Sequence, residues 1–163
     1  MKYSLLIALF FCALPSQAAE NFTLYLVRHA EKQVNIKDPT LTQCGELRAE
    51  KIAKLLEHTK IKHVYSTAYK RTIATATPLA QQQELTVEQY SPKSLEQFAQ
   101  QLLEQQENAL VVGHSNTTPQ LSALLSGMTV ESITEDDYNN LYQVQVSSSG
   151  KTLTLFTQPL TCD

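Results

Sequence analysis

Two histidines and two arginines are the residues whose types and spacing could do chemistry in this sequence. Arg28 and His29 stand together, Arg71 lies further along the chain, and His114 is followed by Ser115. Arginine presents paired donors that match phosphate oxygens, and a neutral imidazole nitrogen is a nucleophile near pH 7. The set therefore predicts a cationic site that binds a phosphate group and could transfer it to a histidine.

The same histidines could instead bind a metal ion. His29-Ala30-Glu31 has the H-x-E spacing of zinc deaminases, but the P-C-x-x-C segment that completes such a site is absent from the sequence. We therefore predict no metal and no cofactor, because arginine and histidine would supply the positive charge.

Three predicted strands must bring these residues together. Apolar, β-branched runs at 23–28, 61–66 and 109–113 are typical of buried strands, and each comes before one of the basic groups. Ligands of open α/β sheets bind outside the carboxyl ends of the strands. Helices that begin near Tyr69 and Thr117 would add free N–H groups at the same edge.

Strands and helices alternate along the chain, which predicts an α/β fold with a mostly parallel sheet between two layers of helices. The predicted helices cover 42–58, 69–83, 94–106 and 118–127, and a terminal hairpin follows at 141–157. Thr42, Ser94 and Thr118 are the predicted N-caps, and Ser94 forms a capping-box pattern with Gln97.

The N-terminus has the pattern of a secretory signal peptide. A basic start precedes a mostly apolar run at 3–14, which is too short to span a bilayer as a helix, and Ala18 ends a small-residue cleavage pattern. We expect residues 1–18 to be removed, with Ala19 as the alternative end, and residues 19–163 to form one domain in the periplasm. A membrane anchor is the alternative interpretation.

Composition limits the partners. The formal charge is −3, which argues against a nucleic-acid binder because such proteins usually carry a basic face. We expect a small phosphorylated substrate or a phosphoprotein, no nucleic acid and no stable membrane insertion. In an oxidising compartment, Cys44 and Cys162 could form a disulfide.

Four segments resemble motifs of the histidine phosphatase superfamily, and the resemblance covers most of the chain after the signal peptide. Residues 26–31 (LVRHAE) are similar to the strand-R-H-G motif, and 38–45 (DPTLTQCG) to D-x-x-L-T-x-x-G. Residues 67–76 match [ST]-x-x-x-R-[AT]-x-x-T-A, and 111–114 match the late V-x-G-H. The resemblance implies a three-layer α/β/α, phosphoglycerate-mutase-like fold. Ala30 stands where the family usually has glycine.

The resemblance also implies roles for single residues. His29 would be the nucleophile that becomes phosphorylated. The residues expected to bind the phosphate and stabilise its transfer are Arg28, Arg71 and His114. The residues expected to contact the substrate nearby are Asn35, Thr67 and Ser115.

The proton-donating carboxylate of the family has no clear counterpart here. It normally follows the third strand, where this sequence reads Glu88-Gln89-Tyr90-Ser91-Pro92-Lys93 without the motif. Glu31 and Glu88 are the candidate acids, with Asp38 as a third. Some short bacterial members of the family lack a clear acid and cleave substrates with good leaving groups, such as phosphohistidine.

The predicted function is hydrolysis of phosphomonoesters, or of phosphohistidine, through a covalent phosphohistidine on His29. One alternative is phosphotransfer of the phosphoglycerate-mutase type, although mutases of this family are larger cytosolic enzymes. The other is a non-catalytic module that binds phosphorylated ligands on the same fold. The missing acid favours the module, and the presence of both arginines and both histidines opposes it.

Overall fold

A six-stranded sheet with helices on both faces organises the chain in the computed structural model, which describes residues 21–160. The strands are β1 (Phe22–Arg28), β2 (His63–Ser66), β3 (Val87–Gln89), β4 (Ala109–Gly113), β5 (Asn140–Ser147) and β6 (Gly150–Thr157). The helices are α1 (Gln43–Leu56), α2 (Lys70–Gln82), α3 (Leu95–Gln105) and α4 (Thr117–Ser126). The predicted signal peptide at 1–18 and Cys162 lie outside the described residues.

The strand order is β3-β2-β4-β1-β5-β6. Strands β3, β2, β4 and β1 run parallel, and the hairpin of β5 and β6 adds to β1 in the antiparallel sense. The sheet is therefore mostly parallel, as predicted, and the carboxyl ends of β1, β2 and β4 meet at one edge. In β1 the residues from Leu24 to Arg28 are all buried, since this strand has a neighbour on each side and helices above and below.

Two apolar clusters hold the helices against the sheet. On one face, α1 and α2 pack through Ile52, Leu56, Ala76 and Leu79 against residues of β1, β2 and β4. On the other face, α3 and α4 pack through residues that include Leu102 and Leu125. This arrangement confirms the three-layer α/β/α fold. Among residues 21–160, no helix combines the length and apolar character needed to cross a membrane.

Local signals predicted the helix starts with mixed success. Thr42 is the N-cap of α1, and its side chain accepts a hydrogen bond from the Gly45 amide at 3.1 Å. The capping box at Ser94 is not formed, because the Ser94 side chain makes no cap hydrogen bond. Thr118 is not a cap either, since α4 begins one residue earlier and the Thr118 hydroxyl donates to the Val27 carbonyl at 3.3 Å.

Candidate active site

The register of β1 and β4 places the two histidines side by side. Arg28 pairs with Gly113, and the His29 amide donates to the Gly113 carbonyl at 2.9 Å. The rings of His29 and His114 then lie 5.7 Å apart, edge to face. Gly113 has no room for a side chain, because a Cβ there would lie 2.8 Å from the Thr118 hydroxyl oxygen. The glycine thus lets α4 start directly against the strand that carries His114.

The His29 side chain is held in one tautomer. Its Nδ1 lies 2.8 Å from the Ala30 carbonyl oxygen, and because a carbonyl only accepts, the hydrogen must be on Nδ1. Burial lowers the pKa of His29 to about 3, and the charges of Arg28 and Arg71 act in the same direction, against the Ala30 hydrogen bond. At neutral pH His29 is therefore uncharged, with the nucleophilic lone pair on Nε2.

The loop after His29 is fixed from two helices. The Ala30 amide donates to the hydroxyl of Thr75 in α2 at 2.9 Å. From α1, the Arg48 guanidinium binds the Glu31 carboxylate through Nε, at 2.9 Å from each oxygen, and through a terminal nitrogen at 2.5 Å. The helix approaches so closely that a Cβ on Gly45 would lie 2.2 Å from the Glu31 carbonyl oxygen. These contacts set the backbone that orients the His29 side chain.

His114 is oriented by two buried threonines. The Thr72 hydroxyl lies 2.9 Å from the Thr67 carbonyl oxygen and 2.8 Å from the Tyr69 carbonyl oxygen. Because carbonyls only accept, the single hydrogen of this hydroxyl is donated to them. The Thr67 hydroxyl then donates to Thr72, at 2.9 Å, and accepts from His114 Nε2 at 3.0 Å. Burial, with the nearby charge of Arg71, lowers the pKa of His114 to about 4, so this ring is also neutral in the ligand-free protein.

Arg28 is enclosed by the segment at 134–138, which precedes β5. Its guanidinium carbon lies 4.1 Å from the centroid of the Tyr138 ring, and one terminal nitrogen donates to the Thr134 carbonyl at 3.1 Å. The other terminal nitrogen binds the carboxylate of Glu135 at 2.8 Å. The second arginine, Arg71, stacks 4.5 Å from the Tyr69 ring centroid. Aromatic faces thus hold both guanidinium groups in place.

A cavity of about 390 Å³ lies at this edge of the sheet. His29, Arg71, His114 and Ser115 line it, and Lys32 and Lys93 add two further cationic side chains. The single carboxylate among its lining residues is Glu135. Positive charge therefore predominates in the cavity, which suits an anionic ligand. Within residues 21–160, no group of three or more metal-ligating side chains converges in a way that could hold a metal ion.

Among the predicted site residues, Asn35, Glu31, Glu88 and Thr67 are not on the cavity wall. Asn35 is exposed in a loop, with a φ of 60°, and is not among the residues that line the cavity. Glu31 is bound to Arg48 beneath the loop, and Glu88 binds the ring of His63 at 2.9 Å. Each glutamate is thus held by a cation or an imidazole, and neither is among the residues that line the cavity. Thr67 lies behind His114 rather than on the cavity wall.

The sequence did not single out Glu135 or the two aromatic partners, Tyr69 and Tyr138. Only their position between elements predicts the segments at 31–40, 91–94 and 129–140 as walls of the site. The stretch around Glu135 also contains Glu131 and other acidic residues. No local pattern distinguishes one carboxylate from the others, since the contact with Arg28 spans 107 positions of sequence.

Comparisons with known proteins agree with this geometry. Residues 24–91 match the sequence model of the "Histidine phosphatase superfamily (branch 1)", a range that includes Arg28, His29 and Arg71. No curated protein matches the chain in sequence.

Solved structures extend the likeness to most of the chain. Alpha-ribazole phosphatase from Shigella flexneri superposes with a TM-score of 0.68 at 18% identity, covering 86% of this chain and 100% of its own. The protein histidine phosphatase SixA, complexed with tungstate, gives 0.66 at 18% identity, covering 83% and 96%. A mycobacterial glucosyl-3-phosphoglycerate phosphatase gives 0.66 at 12% identity, covering 87% and 100%. At these identities the structures establish the shared fold alone, and the sequence match shows that residues 24–91 are similar to the histidine phosphatase superfamily, branch 1.

Proposed function

We propose that this protein is a phosphatase that hydrolyses phosphomonoesters, or phosphohistidine, through a covalent intermediate on His29. The observation that carries the proposal is the hydrogen bond from His29 Nδ1 to the Ala30 carbonyl, which leaves the lone pair on Nε2 of a neutral ring. This nucleophile lies in a cavity lined by a second histidine and by Arg71. A poised nucleophile beside fixed cations is the arrangement that phosphoryl transfer requires.

In the first step, the phosphate group binds among Arg28, Arg71 and His114. The paired N–H donors of an arginine match two phosphate oxygens. Because a nearby negative charge raises the pKa of a histidine, the bound dianion favours protonation of His114. His29 Nε2 then attacks phosphorus. A nitrogen–phosphorus bond forms and the bond from phosphorus to the leaving atom breaks, the leaving atom being the ester oxygen or, in phosphohistidine, a ring nitrogen. That atom keeps the bonding electrons and takes up a proton from an acid in the site, which regains a proton from the attacking water in the second step.

In the second step, water attacks the phosphohistidine. The nitrogen–phosphorus bond breaks, inorganic phosphate leaves, and His29 returns to the neutral state. The same cations stabilise charge on the transferring group in both steps, because the arginines stay charged at any physiological pH. The hydrogen bond from His29 to Ala30 keeps the ring in place while Nε2 gains and loses the phosphoryl group.

The cavity supports an accessible substrate. Lys93, Asn116 and Glu135 at its rim are exposed, so a phosphate on a small molecule or on a protein side chain could enter. Among structures with the same fold, SixA is described as a protein histidine phosphatase, and other neighbours act on small phosphomonoesters. We extend both substrate classes to this chain as part of the proposal.

We further propose that the protein acts after export to the periplasm. The pattern at residues 1–18 supports export, and Cys44 is disulfide-bonded, which fits an oxidising compartment. We propose Cys162 as the partner of Cys44. Titration of the denatured, unreduced mature protein should find neither thiol free, whereas two free thiols would contradict the pairing.

The covalent intermediate provides the direct test. The purified mature protein is mixed briefly with p-nitrophenyl phosphate and quenched at alkaline pH, which preserves phosphohistidine. Mass spectrometry should find one added phosphoryl group on the peptide that carries His29, together with released p-nitrophenol. His29→Ala should abolish both signals, and His58→Ala, which changes an exposed histidine outside the cavity, should retain them.

Two outcomes would contradict the proposal. Full turnover by His29→Ala would exclude the covalent mechanism. Wild-type protein that binds phosphate but shows neither adduct nor turnover would favour the non-catalytic binding module instead.

A further inference from the structure

Glu135 binds Arg28, one of the residues that the proposed function assigns to the phosphate group. Its carboxylate binds the terminal nitrogen of Arg28 at 2.8 Å, and its other oxygen accepts a short hydrogen bond from the Ser115 hydroxyl. The side chain is 70% exposed and lies on the cavity wall, whereas Arg28 is buried. An exposed carboxylate thus neutralises a buried guanidinium in the ligand-free site.

A bound phosphate must displace this carboxylate from Arg28. Both are anions that seek the same donors, and like charges held within a few ångströms repel each other. The hydrogen bond from Ser115 and the charge of Arg28 hold the pKa of Glu135 below its usual range in the free protein. When the phosphate takes these partners, the carboxylate loses its stabilisation and faces a dianion, and both changes favour its protonated form.

We propose that Glu135 is the proton donor of the reaction, and that it takes up its proton when the phosphate displaces it from Arg28. The inference rests on the proposed phosphatase function, which it deepens by assigning the acid. The segment at 134–138 encloses Arg28 and holds Glu135 at the cavity, whereas none of the other candidate acids, Glu31, Glu88 and Asp38, is among the lining residues. The Asp38 carboxylate instead accepts a hydrogen bond from the Lys70 amide at 3.1 Å and lies 3.9 Å from a terminal nitrogen of Arg71.

The proton balance closes over one turnover. As His29 Nε2 bonds to phosphorus, the protonated Glu135 gives its hydrogen to the leaving oxygen and becomes a carboxylate. In the second step this carboxylate takes a proton from the attacking water, which restores the acid as the nitrogen–phosphorus bond breaks. Release of phosphate lets Glu135 lose the proton and return to Arg28.

Several charged groups face Glu135 from other elements and would respond to the same ligand. They are Arg28 and His29 at the end of β1, Lys32 in the following loop and His114 after β4. Because both histidines can also take up protons when an anion binds, the contribution of Glu135 is obtained only from a comparison of variants.

The first experiment compares leaving groups in wild type, Glu135→Gln and the control Glu131→Gln. Glu131 is exposed in the loop that precedes Glu135 and does not line the cavity. An alkoxide leaving group needs an acid, whereas p-nitrophenolate does not. Glu135→Gln should lose more than about 100-fold in kcat/KM on an alkyl phosphate but less than about 10-fold on p-nitrophenyl phosphate. Glu131→Gln should match wild type on both substrates.

The second experiment measures proton uptake when tungstate binds near pH 7, by calorimetry in two buffers of different ionisation enthalpy. Wild type and Glu131→Gln should take up more protons than Glu135→Gln. Equal uptake in all three, or an unchanged ratio of alkyl to aryl turnover in Glu135→Gln, would overturn the assignment while leaving the phosphatase intact. Absence of aryl turnover in wild type would instead overturn the proposed function, and the assignment with it.

Discussion

The ion pair between Glu31 and Arg48 should be structural, and Glu31→Gln tests this directly. Arg48 is buried and donates to both carboxylate oxygens of Glu31, whose side chain is 17% exposed. Glutamine has the same shape but removes the charge and turns an amide NH₂ toward a guanidinium that only donates. The variant therefore leaves a buried cation without its counter-charge while filling the same volume.

The expected cost follows from burial. Removing one partner of a fully buried pair costs about 3–5 kcal/mol, and the partial exposure of Glu31 reduces this to about 2–4 kcal/mol. For a domain of this size, each kcal/mol lowers the melting temperature by about 4 °C. We therefore expect Glu31→Gln to lower Tm by roughly 8–16 °C. Arg48→Met in the same chain should restore part of the loss, because no buried charge is then left unpaired.

Thermal unfolding and leaving-group kinetics together form the assay. Glu57→Gln is the matched control, because Glu57 pairs with the exposed Lys54 at the C-terminal end of α1, the helix that also carries Arg48. The Tm of this variant should differ little from that of wild type. Below its Tm, Glu31→Gln should keep the wild-type ratio of alkyl to aryl turnover. A Tm within 2 °C of wild type would refute the structural role, and a selective loss on alkyl phosphates would return Glu31 to the candidate acids.

Three further predictions concern the site and the sheet. Thr67→Val should lower kcat about 10-fold and destabilise the fold by about 1–3 kcal/mol, because the imidazole N–H of His114 loses its acceptor. Thr77→Val in α2 is the control, and wild-type kinetics in Thr67→Val would contradict the role of Thr67 in orienting His114. Arg71→Ala should weaken tungstate binding, measured by calorimetry, and kcat/KM, measured from initial rates, each by at least about 100-fold. Lys70→Ala is the control and should change neither quantity. An unchanged affinity for tungstate in Arg71→Ala would remove Arg71 from the phosphate site. Burial alone would lower the pKa of His63, but its hydrogen bonds to two glutamates raise it above 6.5. The stabilisation it provides is complete below pH 6.5 and is lost as the pH rises through the folded-state pKa. The Tm of wild type should therefore fall as the pH rises above 6.5, and the Tm of His63→Gln should not; equal slopes would contradict this.

Several features could be predicted because their causes are local in the sequence. The apolar run before Arg28 is by itself typical of a buried strand. The N-cap at Thr42 requires only the amide of Gly45, which is three residues further along the chain. The turn at Gly150 and the alternation on either side of it likewise specify the terminal hairpin. Alternation of such elements was enough for the α/β class, and the order of the motifs was enough to identify Arg28, His29, Arg71 and His114 as a set.

The sequence by itself thus determined the fold class and the cationic side chains that meet at one sheet edge. Only the tertiary structure decided which carboxylate joins them. Glu31, Glu88 and Glu135 are chemically alike, and each finds a different partner because the sheet register and the helix packing place Arg48, His63 and Arg28 beside them. Such contacts join residues far apart in sequence, so no local pattern encodes them. The same holds for the tautomer of each histidine, since a hydrogen bond acquires its direction only once the fold has brought donor and acceptor together.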